Sequence, residues 1–245
     1  MAQSYRTKGF IFKKEDRQEA DRVFSIFTED FGRVEISAKA IRKIASKLKG
    51  GIEIFSLSEI EFIQGKNKKT LTDAIFLERF NRIAQSPEKM ETAYQVSDLI
   101  DHFVRGQVPD EKIWKVMVKF FQAFNGQSVL PNKPSFWYYY FFWNFVSAAG
   151  FMPELSRCVT CSQSLHPEHL YFSNKEGGVM CQSCAQSHRQ AKNINADVVK
   201  MIRLFLKNEW DTVSKLKAQA SSNALLKSIS DTYSDYLMHT YSFQA

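Results

Sequence analysis

The sequence predicts a multidomain β-plus-α protein, with a small all-β domain at the N-terminus and a mainly helical domain after it that carries a four-cysteine insertion. Three observations lead there. Apolar residues in 1–80 come in short bursts separated by turn residues, the apolar period becomes helical from about Phe80, and the four cysteines of the chain form two C-x-x-C pairs.

In the first domain the bursts run from Gly9 to Phe12, Val23 to Thr28, Val34 to Ala38, Ile52 to Ile63 and Leu71 to Phe76. Val34, Ile36 and Ala38 alternate with polar residues, the period of a half-buried strand. Asp30-Phe31-Gly32 and Gln64-Gly65-Lys66-Asn67 suit hairpin turns, because glycine and asparagine tolerate positive φ. Five short strands over residues 1–80 point to a small closed barrel, the five-stranded OB-fold first, although an open sandwich would give much the same pattern. Phe10, Phe12, Phe24 and Phe31 could stack bases if strand phase exposed them, and are core residues if it does not.

Between the third and fourth bursts lies KAIRKIASKLKGG, where Ile41, Ile44 and Leu48 recur at helical spacing. A short helix or ordered loop ending at Gly50-Gly51 fits. It carries Lys39, Arg42, Lys43, Lys47 and Lys49 with no acidic residue among them. Lysines and arginines without intervening carboxylates can release the counterions condensed on a nucleic acid. These five, with Arg33 and a second cluster at Lys66, Lys68 and Lys69, are the candidate DNA or RNA contacts; the competing reading is a solvated charged face.

Residues 81–150 read as the first part of the helical domain. Tyr94, Leu99 and Phe103, then Ile113, Val116, Met117, Phe120, Phe121 and Phe124, recur at steps of three and four, and Pro109 and Pro131 mark breaks. Ser135 is placed to cap a helix that opens with Phe136 and is apolar nearly all round, so it is expected to be the central buried one. Its aromatics read as core rather than as a cofactor box. After the insertion at 151–190, residues 191–245 resume helical periodicity through Val198, Val199, Ile202 and Leu206, then Leu225, Leu226, Ile229, Tyr233, Tyr236 and Leu237. These last helices are expected to pack back on the aromatic one.

In the insertion, Cys158-x2-Cys161 is followed after nineteen residues by Cys181-x2-Cys184. A C-x-x-C turn aims two thiolates at one point, and a second turn completes the tetrahedron that Zn²⁺ prefers. Four protein thiolates leave no position for water, so one structural zinc ion is expected, ahead of two disulfides or free thiols. His166, His169 and His188 are near enough to substitute, but with four cysteines present they read as surface residues. Gly177-Gly178 fits a tight turn before the second pair.

Composition narrows the function classes. Hydrophobic residues make up 44% and charged residues 24%, which is ordinary for a folded chain. The opening MAQSYRTKGF lacks the apolar stretch of a signal peptide, and the longest apolar run, Phe136 to Val146, is too short to span a bilayer, so a soluble cytoplasmic protein is expected. The net charge of +7 is compatible with a polyanionic partner. There is no P-loop, dinucleotide glycine fingerprint, nucleophile elbow or H-E-x-x-H, which favours a binding role over an enzyme.

The order of parts resembles the bacterial recombination mediator and DNA repair family RecO. Gly150-Phe151-Met152-Pro153-Glu154-Leu155 with Cys158-x2-Cys161 is similar to the family's G-[YF]-x-P-x-L-x-x-C-x-x-C junction. Phe172-Ser173 through Gly177-Gly178 to Cys181-x2-Cys184 resembles its second knuckle. The segment from Asp21 to Thr28, then Gly32, then Ala38-Lys39, is similar to its N-terminal third. One departure is Ala40, where the family usually has glycine; it bears on the conformation of the loop rather than its charge.

The resemblance implies a non-enzymatic protein that binds single- and double-stranded DNA and anneals complementary strands. It also implies the partner RecR, recognition of the C-terminal tail of single-strand binding protein by the helical domain, and indirect action on the recombinase RecA at the nucleoid; Arg203, Lys207 and Lys215 of the tail helices are candidates for the basic rim such a groove requires. Two other classes fit the parts without the resemblance: an RNA- or protein-binding adaptor of transcription or translation, and a nucleic-acid-processing enzyme.

Overall fold

The computed structural model describes residues 3–127, 136–208, 212, 215 and 219–241. Strands β1 (Gln3–Arg17), β2 (Asp21–Thr28), β3 (Gly32–Ala38), β4 (Ser56–Gln64) and β5 (Lys69–Arg79) close into a barrel of order β1-β2-β3-β5-β4. Neighbours are antiparallel except β3 and β5, which pair in parallel where Ile36 meets Lys69 and Ser37 meets Thr70. This is the expected OB-like barrel. Both expected hairpin turns form, with Gly32 left-handed at φ +60° after β2 and Gly65 N–H donating to Lys68 O at 2.9 Å between β4 and β5.

The barrel encloses Ile11, Phe24, Ile26, Val34, Ile36 and Ile60, and the alternation read in β3 is the inside-outside alternation of that strand. In β1 the apolar run is continuous because the strand is covered on both faces. Phe10 is fully buried outside the barrel core, with its ring 4.3 Å from that of Phe121. The covering elements are α2 (Pro87–Phe103) and α3 (Glu111–Gly126), which follow a single turn of helix, α1 (Asn81–Ala84). Trp114 of α3 packs on Phe27, and Phe55 stacks on Phe121. A bulge between Ile11 and Lys13 interrupts the β1–β2 ladder, and Ser97 Oγ of α2 donates to the Phe12 carbonyl at that point.

Phe10, Phe12 and Phe24 are therefore core residues, 0% exposed, and cannot stack bases. Phe31 is half-buried and meets Tyr5 and Phe62 edge to face.

Ser86 caps α2 by accepting from Lys89 N–H at 3.3 Å, and Asp110 caps α3 by accepting from Lys112 and Ile113 N–H, each at 2.9 Å. Lys89 Nζ, buried, donates to the carbonyls of Phe124 and Asn125 at the end of α3, which complements the negative end of the helix dipole. Packing divides the chain into a unit ending at Val129 and a unit beginning at Leu130. The stretch 81–150 is thus divided: α2 and α3 belong with the barrel, because the second face of β1 needs them.

Of the two forms expected for residues 39–51, the ordered loop is found, with one turn of 3-10 helix at Lys47–Gly50. Ile41 enters the barrel core and Leu48 packs against it, but Ile44 is 100% exposed, so the three do not share a face. Ala40 adopts the left-handed φ of +52° that suits the glycine of the family pattern. Its N–H donates to Asp21 Oδ1 at 2.7 Å, and Arg42 N–H donates to Ala20 O at 3.0 Å, pinning the loop to the β1–β2 turn. At the far end, a side chain on Gly51 would stand 1.6 Å from Ala74 O, so only glycine lets the loop lie this close to β5.

In the second unit, α4 (Phe136–Ala148) is buried along nearly its whole length and packs against α6 (Ala196–Leu206) and α7 (Ala220–Tyr241). The asparagine inside its apolar run has a use: Asn144 Nδ2 donates to Tyr140 O at 2.8 Å and to Phe205 O at 2.9 Å. Trp143 Nε1 donates to Ser230 Oγ of α7 at 3.1 Å. Between α4 and α6 lie β6 (Leu170–Ser173), β7 (Gly178–Cys181), α5 (Gln182–Ala185) and β8 (Lys192–Ile194), the three strands forming a sheet of order β7-β6-β8. Pro131 and the cap at Ser135 lie outside the described residues.

Ala40→Gly is expected to stabilise the first unit. It removes about 1–2 kcal/mol of left-handed strain and adds about 0.4–1 kcal/mol of unfolded-state entropy, a net gain of about 0.5–1 kcal/mol. A higher urea midpoint with an unchanged slope is the expected result; an unchanged or lower midpoint counts against strain at this position.

Candidate metal centre and nucleic-acid interface

The two C-x-x-C pairs converge. Cys158 N–H donates to Gln163 O at 2.9 Å and Ser162 N–H to Cys158 O at 2.8 Å, closing the first knuckle around a left-handed Ser162. Val159 N–H donates to Val179 O at 2.9 Å, which ties this knuckle to β7. Cys181 ends β7 and Cys184 follows one turn later in α5. The expected turn at Gly177-Gly178 joins β6 to β7 and delivers Cys181 to the first pair.

The four Sγ atoms lie within 4.8 Å of one another. Cys161 Sγ and Cys181 Sγ are 3.8 Å apart, which matches the edge of about 3.8 Å that metal–sulfur bonds of about 2.3 Å give a tetrahedron. It is far from the bond of about 2.05 Å that a disulfide requires. Burial opposes ionisation of the Cys158 thiol, but the backbone N–H groups of Cys161, Cys181 and Thr160 outweigh it and bring it down to about 6. Side-chain contact with the Cys161 and Cys181 sulfurs drives Cys184 the other way, to about 12. Four crowded thiols cannot all ionise without a counter-charge, and a soft divalent cation at their centre would supply it. His188 is not among these ligands; its Nδ1–H donates to Cys184 O at 2.9 Å. His166 and His169 are exposed.

The insertion is fastened to the helices. Glu154 N–H donates to Gly177 O, and Val179 N–H donates to Glu154 O. Tyr233 of α7 donates from its hydroxyl to Phe151 O at 3.1 Å, stacks on Trp143 and meets Phe172 of β6 edge to face. Arg203 of α6 donates to Leu155 O, so this arginine, expected on a binding rim, is engaged in joining the insertion to α6.

In the first unit, Lys39, Arg42, Lys43, Lys47 and Lys49 are exposed on the β3–β4 loop. Arg42 has Asp16 Oδ2 3.7 Å away. Lys66 and Lys68 are exposed on the β4–β5 turn, and Lys69 is half-buried at the start of β5. That turn walls a cleft of about 900 Å³ together with Arg17 and Gln18 of the β1–β2 turn and Gly106 and Gln107 of the α2–α3 loop. Strands β2 and β3 form its floor through Val23 and Ser37. A five-stranded barrel of this order offers ligands the same strands and loops.

Arg33, one of the candidate contacts, is tied into the fold. It lines the cleft but is only 18% exposed, with Nη2 2.6 Å from Asp101 Oδ1, and Nη1 donating to Asp101 O and Val104 O. Lys13 holds the other oxygen of Asp101 at 2.8 Å. Burial works against the Asp101 carboxylate, yet Lys13 and Arg33 hold it below its usual range. The same arrangement brings in the residues that sequence reasoning missed. Gly32, left-handed, would clash with Val108 O at 2.3 Å if it bore a side chain, and Arg33 N–H donates to Gly106 O at 3.3 Å. The α2–α3 loop is thereby laid across β3, a placement that no periodicity or motif signals.

Among the described residues, no helix is long and apolar enough to cross a membrane. A family model for the N-terminal domain of recombination protein O matches residues 1–80, and one for its C-terminal domain matches residues 84–239. DNA repair protein RecO of Dehalococcoides mccartyi is 28% identical over 213 residues, covering 87% of this chain and 82% of the relative. The protein of the same name from Roseiflexus is 25% identical, covering 96% and 81%, and that from Listeria monocytogenes is 22% identical, covering 93% and 87%.

Asp101→Asn is expected to lower stability at neutral pH by about 1–2 kcal/mol, because it leaves Lys13 and Arg33 without their carboxylate. The folded pKa of Asp101 lies below its unfolded value, so its contribution is complete above the unfolded pKa and is lost as pH falls through the folded one. Urea titrations between pH 7 and pH 3 should show the gap between wild type and variant narrowing on acidification. A gap that stays constant or widens contradicts the assigned pairing.

Proposed function

The chain belongs to the recombination protein O family, and on that premise we propose that it is a non-enzymatic mediator of DNA repair and homologous recombination. It binds single- and double-stranded DNA, anneals complementary strands and, with RecR, helps RecA load onto strands coated by single-strand binding protein. The observation that carries this reading is the β3–β4 loop, which exposes Lys39, Arg42, Lys43, Lys47 and Lys49 with no carboxylate among them. A basic surface that neutralises two strands at once reduces their repulsion, while the bases supply the specificity of pairing.

The second unit has two roles in this reading. Its four thiolates hold one structural Zn²⁺, which fixes an insertion too poor in apolar residues to fold alone. Its helices take the acidic, apolar tail of single-strand binding protein, for which Lys207 and Lys215 remain exposed as rim cations. The protein acts in the cytoplasm, at the nucleoid.

The combined change of Lys39, Arg42, Lys43 and Lys47 to alanine should weaken binding to a single strand and flatten the plot of log affinity against log salt by up to about 3, at about 0.7 for each phosphate no longer neutralised. Unchanged affinity and slope would sink the assignment of this surface. Annealing of complementary oligonucleotides coated with single-strand binding protein should be accelerated by the wild type and less by the variant. Cys158→Ser should lower bound zinc from one equivalent per chain, read by elemental analysis, and lower the unfolding midpoint of the second unit, with DNA affinity changing only as the fold is lost.

A further inference from the structure

We infer that the cleft between the β1–β2 and β4–β5 turns holds a nucleic-acid strand by its sugar–phosphate backbone alone and leaves the bases outside. This rests on the reading above that the barrel binds DNA, and it specifies how.

The lining carries the argument. Cations and amides dominate it: Arg17, Lys68 and Lys69, with Gln18, Gln64 and Gln107 between them. Two carboxylates line it as well, Asp21, whose Oδ1 accepts from the Ala40 N–H at 2.7 Å, and Glu35, 3.5 Å from Arg33; with Arg17, Arg33, Lys68 and Lys69 against them the lining stays positive. No aromatic ring is among the lining residues. Of the four phenylalanines that could have supplied one, Phe24 lies inside the barrel and Phe10 and Phe12 are fully buried in β1, while half-buried Phe31 packs on Tyr5 and Phe62 and is not among the lining residues.

Single-strand-binding barrels gain about 1–3 kcal/mol per base from stacking on aromatic side chains. A cleft without such rings gains its affinity from phosphates, through lysine and arginine, and from amides that donate to phosphate and sugar oxygens. Such a grip does not read sequence and does not occupy the faces or pairing edges of the bases. A strand held this way stays competent to pair with a complement, which is what annealing requires.

The test compares the full-length protein on a thymine oligonucleotide and on an abasic strand of the same length at matched salt, by fluorescence anisotropy. Permanganate oxidation of the bound thymines is read alongside. The expected result is affinities within about threefold, equal salt slopes and thymine reactivity close to that of the free strand. The double variant Lys68→Ala, Lys69→Ala should weaken both strands to the same extent, with an unchanged unfolding midpoint, and lower both slopes by about 1.4, at about 0.7 per neutralised phosphate. An abasic strand bound tenfold or more weaker, or thymines protected in the complex, overturns the backbone-only grip while leaving DNA binding intact. Full affinity in the double variant overturns the placement in this cleft. Failure to bind either strand overturns both this inference and the reading beneath it.

Discussion

The first unit depends on the burial of β1 on both faces. Ile11 belongs to the barrel core, while Phe10 is pressed against Phe121 of α3 on the other side. A strand covered twice must be apolar at consecutive positions, and a barrel that contains it must carry helices on its outer surface. This is why α2 and α3 join the barrel unit. The same burial draws Phe10 and Phe12 inward, and the cleft is lined by amides and charged groups without an aromatic ring. The chemistry of the exposed face follows from what the core consumes.

A second constraint shapes that face. The β3–β4 loop is anchored at one end by Asp21 and Ala20 and at the other by Gly51 against Ala74, with Ile41 buried between them. A run of lysines and arginines would repel itself if it were free to move; fastened at both ends, its charges stay on one projecting loop. Ala40 accepts left-handed strain to keep this path where glycine would adopt it without cost. The Arg33–Asp101–Lys13 group does comparable work for the α2–α3 loop, holding Gly106 and Gln107 over β3. The guanidinium of Arg33 is thereby held in an ion pair with Asp101.

In the second unit the aromatic helix and the cysteine insertion support each other. Tyr233 contacts Trp143 of α4, Phe172 of the insertion's hairpin and the Phe151 carbonyl that leads into it. The four sulfurs cluster at the far end of the same hairpin. The insertion has a metal-binding geometry at one end and helix packing at the other, which makes the site a structural joint.

Much of this was legible in the sequence, and the reasons are local. Period two in Val34, Ile36 and Ala38 and glycines at the turns determined strands; period 3.6 determined helices; the pair of C-x-x-C turns determined the sulfur cluster, because each turn already brings its two thiolates together. Side-chain phase in β1 was not legible, since a continuous apolar run does not say which face meets which neighbour. The spacing of Ile41, Ile44 and Leu48 suggested a common face that Ile44 does not share, because anchors outside the loop set its path. Arg33 looks like any surface arginine until Asp101, distant in sequence, arrives beside it. Element type over most of the chain, the cluster of four sulfurs and the positions of charge along the chain were thus determined by the sequence alone. Which aromatics are consumed by the core, which cations stay free and which loops close a cleft were decided by tertiary structure, because each depends on partners that only the folded chain brings within reach.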